Sequence, residues 1–238
     1  MIPVILGDLF RRLPLAVLAA VALYLIEPAF HQHGPVDPEM GPHLGALGVS
    51  ATLANLAALS MLVLLGGFIS GDRRSGRFRS YLSHPVSPLA LYGLRWLLAA
   101  VLTLIVCAGF LVIGQLVAWG EYRGGTSGLW LAAISAVVYG GLLAFLSALL
   151  PRGDAWAALG AYFATYLWLT LLAVGAEPLT PGIRQLITLI LPPQTAMQDI
   201  YEGLVGGWAA WGAAGFSLGY GVVMLIGAGV VLRLREWK

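Results

Sequence analysis

The sequence is poor in charge, in cysteine and above all in lysine. Only 10% of its 238 residues are Asp, Glu, Lys or Arg, against 59% hydrophobic. A soluble domain carries about 25% charged residues, and a soluble fold of this length could not hide so much apolar surface. The mean hydropathy of +0.86 agrees. These shortages exclude a soluble enzyme, a nucleic-acid binder and a disulfide-rich secreted domain; the chain reads as a polytopic membrane protein. The one cysteine, Cys107, sits in an apolar run. It allows no intrachain disulfide and no multi-cysteine metal site, and it reads as a small buried hydrophobe. The one lysine is Lys238. A P-loop needs Gly-Lys-Ser/Thr to hold phosphate. Lys238 stands outside any such motif, so ATP, if used, must bind to another chain.

What is abundant is apolar sequence in long runs. A membrane helix needs about 20 mostly apolar residues, and six stretches qualify: about 13–30, 43–70, 89–119, 129–150, 155–174 and 211–232. The fold class expected is therefore an all-α membrane protein, one transmembrane domain over residues 1–238. The first stretch ends in Glu27-Pro28 rather than at a small-residue cleavage site, so it reads as an uncleaved helix.

Charge decides orientation. With both termini and the even-numbered connections in the cytoplasm, 11 basic residues lie inside and only Arg123 and Arg184 outside. Seven of the 11 acids, among them Glu27, Asp37, Glu121 and Glu177, lie outside. That asymmetry is the positive-inside pattern.

Three connections stand out. Residues 32–42 hold Pro35, Pro38 and Pro42 and read as irregular. Residues 177–210 form the longest outer connection, with a short apolar piece, Ile183 to Leu191, stopped by Pro192 and Pro193. That piece is too short to cross a bilayer. With a second piece, Ala196 to Val205, it reads as a pair of half-helices dipping into the outer leaflet or lying on it. Residues 71–88 are the most basic part of the chain. Within them, Ser75 to Ser83 can form a helix that ends at His84-Pro85. Phe78, Tyr81 and Leu82 then share a face, while Arg77 and Arg79 point elsewhere. Two readings stay open: a basic loop touching anionic lipid headgroups, and an apolar face that docks in a partner's groove.

Polar residues within the spans are few: Asn55, Gln115, Tyr139, Thr165 and Tyr166. They read as helix-to-helix hydrogen bonds or as a substrate path. No charge is expected mid-span, which argues against proton or sodium coupling; Glu27, at the outer end of its span, is the nearest candidate. The four histidines, His31, His33, His43 and His84, lie outside the span centres, so haem ligation and a metal site are not expected. No catalytic residue is expected either. Gly67/Gly71 and Gly215/Gly219 have the small-xxx-small spacing of helix packing.

The stretch from Ile69 to Trp96 resembles the first cytoplasmic loop of ABC-2 type transporter permeases, the membrane subunits of ATP-binding cassette exporters. The resemblance lies in Asp72, Gly76, Tyr81-Leu82-Ser83, Pro85-Val86-Ser87 and Leu91. Phe10-Arg11-Arg12-Leu13-Pro14 is similar to the family's first-helix start, and Leu191-Pro192-Pro193 to its re-entrant hairpin before the last helix. The chain differs from the family in having Asp72 where Glu is common and Pro88 where Arg or Lys is common. The resemblance implies that Asp72, Gly76, Arg77, Phe78, Arg79, Tyr81, Leu82, Ser83, His84 and Pro85 form a coupling helix on a separate ATPase subunit. It implies two ATPase copies, which bind ATP and Mg, and a second permease copy, identical or paralogous. Asn55, Gln115, Tyr139 and Tyr166 become candidates for the substrate path, and the location expected is a bacterial plasma membrane. The chain by itself is then not an enzyme. The competing expectation is a membrane anchor or assembly subunit of a larger complex that transports nothing.

Overall fold

The computed structural model describes residues 2–32, 34–35, 37–76, 87–173, 187 and 190–236. Among these the fold is all-helical, with no strand. The helices are α1 (Ile2–Ile26), α2 (Pro28–His31), α3 (Ser50–Leu65), α4 (Ser70–Arg74), α5 (Pro88–Trp119), α6 (Gly128–Leu149), α7 (Asp154–Ala173), α8 (Gln194–Gly206) and α9 (Trp211–Glu236). Five segments are long and apolar enough to cross a membrane: α1, α3 with α4, α5, α6 and α9. This is the helical fold of a multi-pass membrane protein. The 20-residue α7 runs beside α6.

The bundle is built around α6, which packs on α3 at one side and on α9 at the other. Two adjacent glycines make this possible. Gly140 faces the side chains of Met61 and Trp96, while Gly141 lies against the backbone carbonyl of Gly221. Gly221 in turn lies against Val137, so a Cβ on it would stand 2.7 Å from the Val137 carbonyl oxygen. Small residues at facing positions let backbones approach this closely. Among the described residues the spacings noted in the sequence do not serve that purpose. Gly71, Gly215 and Gly219 face open space, and Gly67 sits at a helix break.

Two helices differ from the stretches expected. The first begins at Ile2 rather than near Leu13 and carries Pro14 inside it. It stops at Ile26 because Pro28 has no N–H and its ring clashes with a preceding carbonyl. Phe30 falls in α2, whose Ala29 N–H donates to the Glu27 carboxylate at 3.0 Å. Glu27 is thus a buried cap, a use that its place beside Pro28 makes intelligible. The second expected stretch, 43–70, is not one helix. His43 lies in a 3-10 turn, Pro42–Leu44, and the helix that starts at Ser50 breaks at Gly66-Gly67, where Gly67 has φ +71°.

The α5 helix starts cleanly. Ser87 accepts from the Ala90 N–H at 3.1 Å, and Pro88 occupies the first helical position, the preferred arrangement of a helix start. At the other end of the bundle α8 begins directly after Pro192-Pro193, both buried, and ends at Gly207 with φ +75°. Of the short piece Ile183 to Leu191, only Ile187, Ile190 and Leu191 lie among the described residues. The Ile190 carbonyl accepts from the Tyr220 hydroxyl at 2.9 Å.

Candidate functional site

Among the described residues, the densest group of buried charge lies where the chain leaves α4 and returns into α5. Asp72 precedes the connection; Tyr92 and Arg95 follow it on α5. Arg95 Nη1 donates to Asp72 Oδ2 at 3.3 Å, and the Tyr92 hydroxyl donates to the same oxygen at 3.4 Å. The other guanidinium nitrogen, Arg95 Nη2, pairs with Asp8 of α1. Arg95 and Asp72 are almost wholly buried, and Asp8 is part-exposed. Phe68 closes the group from above. Its carbonyl lies 3.5 Å from Arg95 Nη1 and its ring centroid 6.0 Å from the guanidinium carbon. The shared arginine gives each carboxylate an opposite charge in a place where an isolated charge would be costly.

The neighbouring polar group surrounds the helix break. Arg12 Nη1 donates to the carbonyl of Gly66 at 2.5 Å, with the Val63 and Leu64 carbonyls each at 3.4 Å. Asp154, at the start of α7, accepts from the Gly67 N–H at 3.1 Å and from the Ser70 hydroxyl at 2.9 Å. The Ser147 hydroxyl oxygen accepts from the N–H groups of Ile69 and Ser70, both at 3.1 Å. Arg73 Nη1 donates to the Ala148 carbonyl at 2.7 Å.

Of the coupling residues expected from the sequence, Asp72 is in the centre of the charged group. Gly76 lies exposed just beyond α4 with φ +75°, a left-handed conformation that suits glycine. Arg77, Phe78, Arg79, Tyr81, Leu82, Ser83, His84 and Pro85 lie outside the described residues.

Three of the four residues named for a substrate path come together. The Tyr166 hydroxyl donates to the Asn55 side-chain oxygen. Tyr139 and Tyr166 flank Tyr162, with ring centroids 5.5 and 4.9 Å from it. The Tyr139 hydroxyl lies 3.4 Å from Gln194 Oε1, which ties the group to the start of α8. Gln115 is elsewhere. It donates to the Gly124 carbonyl at 2.9 Å and accepts from the Arg123 N–H at 2.8 Å, closing the turn after α5. Thr165 bonds back to Ala161 within its own helix at 2.7 Å. An apolar groove of about 380 Å³ runs between α1 and α5, lined among others by Val17, Tyr24, Gly109 and Val117.

Sequence reasoning missed Asp8, Arg12, Arg95, Ser147 and Asp154 as members of a site. A signal existed for two of them. Arg95 is a lone charge inside the apolar run 89–119, and a charge there needs a partner. Asp8 stands four residues before Arg12, one turn away on the same helix face. Nothing in the sequence says that Asp154 caps a break in a different helix.

No family model and no curated protein matches the chain.

Proposed function

We propose that the chain is the permease subunit of an ABC transporter of the ABC-2 type, coupled to a separate ATPase through the connection between α4 and α5. The observation that supports this reading most is the joined root of that connection. Asp72 before it and Tyr92 and Arg95 after it share one oxygen, and Arg95 reaches on to Asp8. A force on the connection is therefore delivered to α1, α4 and α5 together rather than to one frayed helix end. A loop that only touched lipid headgroups has no need of such a root.

In this reading the chain crosses the membrane six times, α7 being the additional span, with both termini and residues 71–88 in the cytoplasm of a bacterial cell. Residues 177–210 enter the outer leaflet and return. Two ATPase copies bind ATP and Mg, and a second permease copy completes the path. Closure of the ATPase pair pushes the connection and shifts the bundle between states. Asn55, Tyr139 and Tyr166 line the path, while the remaining surface contacts membrane lipid.

Purification from bacterial membranes in mild detergent tests the proposal. The expected result is a co-purifying ATPase subunit whose hydrolysis rate changes when the complex is returned to lipid. A pure complex without any nucleotide-hydrolysing partner contradicts it and favours an anchor or assembly subunit.

A further inference from the structure

The break between α3 and α4 leaves backbone groups that a continuous helix would satisfy internally. Its freed carbonyls and its freed N–H groups are taken by different parts of the molecule. Upstream, the carbonyls of Val63, Leu64 and Gly66 face Arg12 of α1. Downstream, the N–H of Gly67 goes to Asp154, and those of Ile69 and Ser70 go to Ser147. The Ser70 hydroxyl takes the second oxygen of Asp154, and Arg73 reaches the Ala148 carbonyl. Ser70, Ser147 and Asp154 are all buried, so water does not stand in for these partners. Between the two sets lies Gly67, in a left-handed conformation that a side chain would strain.

We propose that Asp154 and Ser147 form a clasp that sets the direction in which α4 leaves the break. The root of the 75–87 connection thereby moves as one body with the corner between α6 and α7. Asp154 is a positioning residue here: it acts through α4. The freed carbonyls answer to α1 and the freed N–H groups to the α6–α7 corner; α1 also reaches α4 through Asp8 and Arg95, so the clasp is what adds the α6–α7 corner to that body. An acid at the start of a helix is also favourable through the helix dipole, but that role alone does not require contact with Gly67 and Ser70. The value of the clasp for transport rests on the coupling reading above; the clasp itself does not.

The test uses the full chain in lipid nanodiscs, with Cys107→Ser and spin labels on cysteines at Ser75 and Phe163. A second pair at Gln32 and Gln198 reports on the opposite end of the bundle. The parent should give a single narrow distance for each pair. Asp154→Ala, which removes both acceptors, should broaden the first distribution and leave the second unchanged. Asp154→Ala with Ser147→Ala should broaden it further. Hydrogen exchange in the peptide covering residues 66–70 should rise by about tenfold or more, as loss of a protecting bond does. If the Asp154 variant does not fold, Ser147→Ala and Ser70→Ala carry the same measurement. An unchanged first distance with unchanged exchange overturns the clasp. Equal broadening of both pairs also overturns it, because the effect is then a general loosening. Neither readout involves an ATPase, so failure of the clasp and failure of the coupling reading are separable.

Discussion

Asp72 and Arg95 stand on opposite sides of the 75–87 connection and meet at 3.3 Å, both almost wholly out of water. Breaking such a pair from one side leaves a buried charge without its partner, which costs about 3–5 kcal/mol. Arg95→Met should therefore lower thermal stability in detergent sharply, since Asp72 and Asp8 both lose the arginine they share. Adding Asp72→Asn and Asp8→Asn to Arg95→Met should recover much of the loss. Failure of the triple variant to recover indicates that packing of the arginine stem, not its charge, holds the group.

The contact between α6 and α9 rests on missing side chains. Gly141→Leu should destabilise the bundle by at least the 1–3 kcal/mol, roughly, of an overpacked core, because its side chain points at the backbone of Gly221. Gly215→Leu, on the same α9 helix but facing open space, should be tolerated or mildly stabilising. Thermal unfolding of the two variants side by side separates the positions.

Tyr201 on α8 holds Nδ1 of His43 through its hydroxyl at 2.8 Å. Burial pushes its phenol up to about 12, with Glu202 and Glu27 adding to the effect. The folded chain then binds that proton more tightly than the unfolded chain does. The stabilisation is fully present below about pH 10, the ordinary tyrosine value, and is lost as pH rises through about 12. Ultraviolet titration should show one late phenolate fewer in Tyr201→Phe, and the variant's stability should fall less steeply over that interval.

Orientation can be read by labelling in a Cys107→Ser background. Cysteines at the exposed Gln32 and Gln198 should react with an impermeant maleimide on intact cells, and one at Ser75 should react only after the cells are opened. Reaction of Ser75 from outside reverses the topology. Gly203 is unsuitable as a label site, since a side chain there meets the Trp208 carbonyl.

The long helices were legible in the sequence because apolar runs of about 20 residues need no partner to be recognised. The apolar stretch 89–119 matches α5 to within one residue at its start. The break at Gly66-Gly67 was not legible: the run from Ser50 to Ser70 carries no charge, and what sustains the break comes from Arg12, Ser147 and Asp154, distant in the chain. The charged group failed for the same reason. Arg95 was assigned to the cytoplasmic side by counting, and counting does not reveal that Asp8 and Asp72 share it. Of the polar residues within the spans, Asn55 and Tyr166 meet each other, whereas Gln115 closes a turn. Polar residues in a span find partners, but the sequence does not say which.

The central claim is that residues 75–84 carry force between this chain and an ATPase. The most direct measurement is affinity capture of the ATPase from bacterial membranes by a chain carrying Phe78→Asp and Leu82→Asp, run beside the parent. Circular dichroism checks that the helices persist. The account predicts that the double variant loses the ATPase while keeping parental helicity, since two charges replace the apolar face on which docking depends. Capture of the ATPase at the parent's yield, with transport intact, would contradict it and leave the connection as a contact for lipid headgroups.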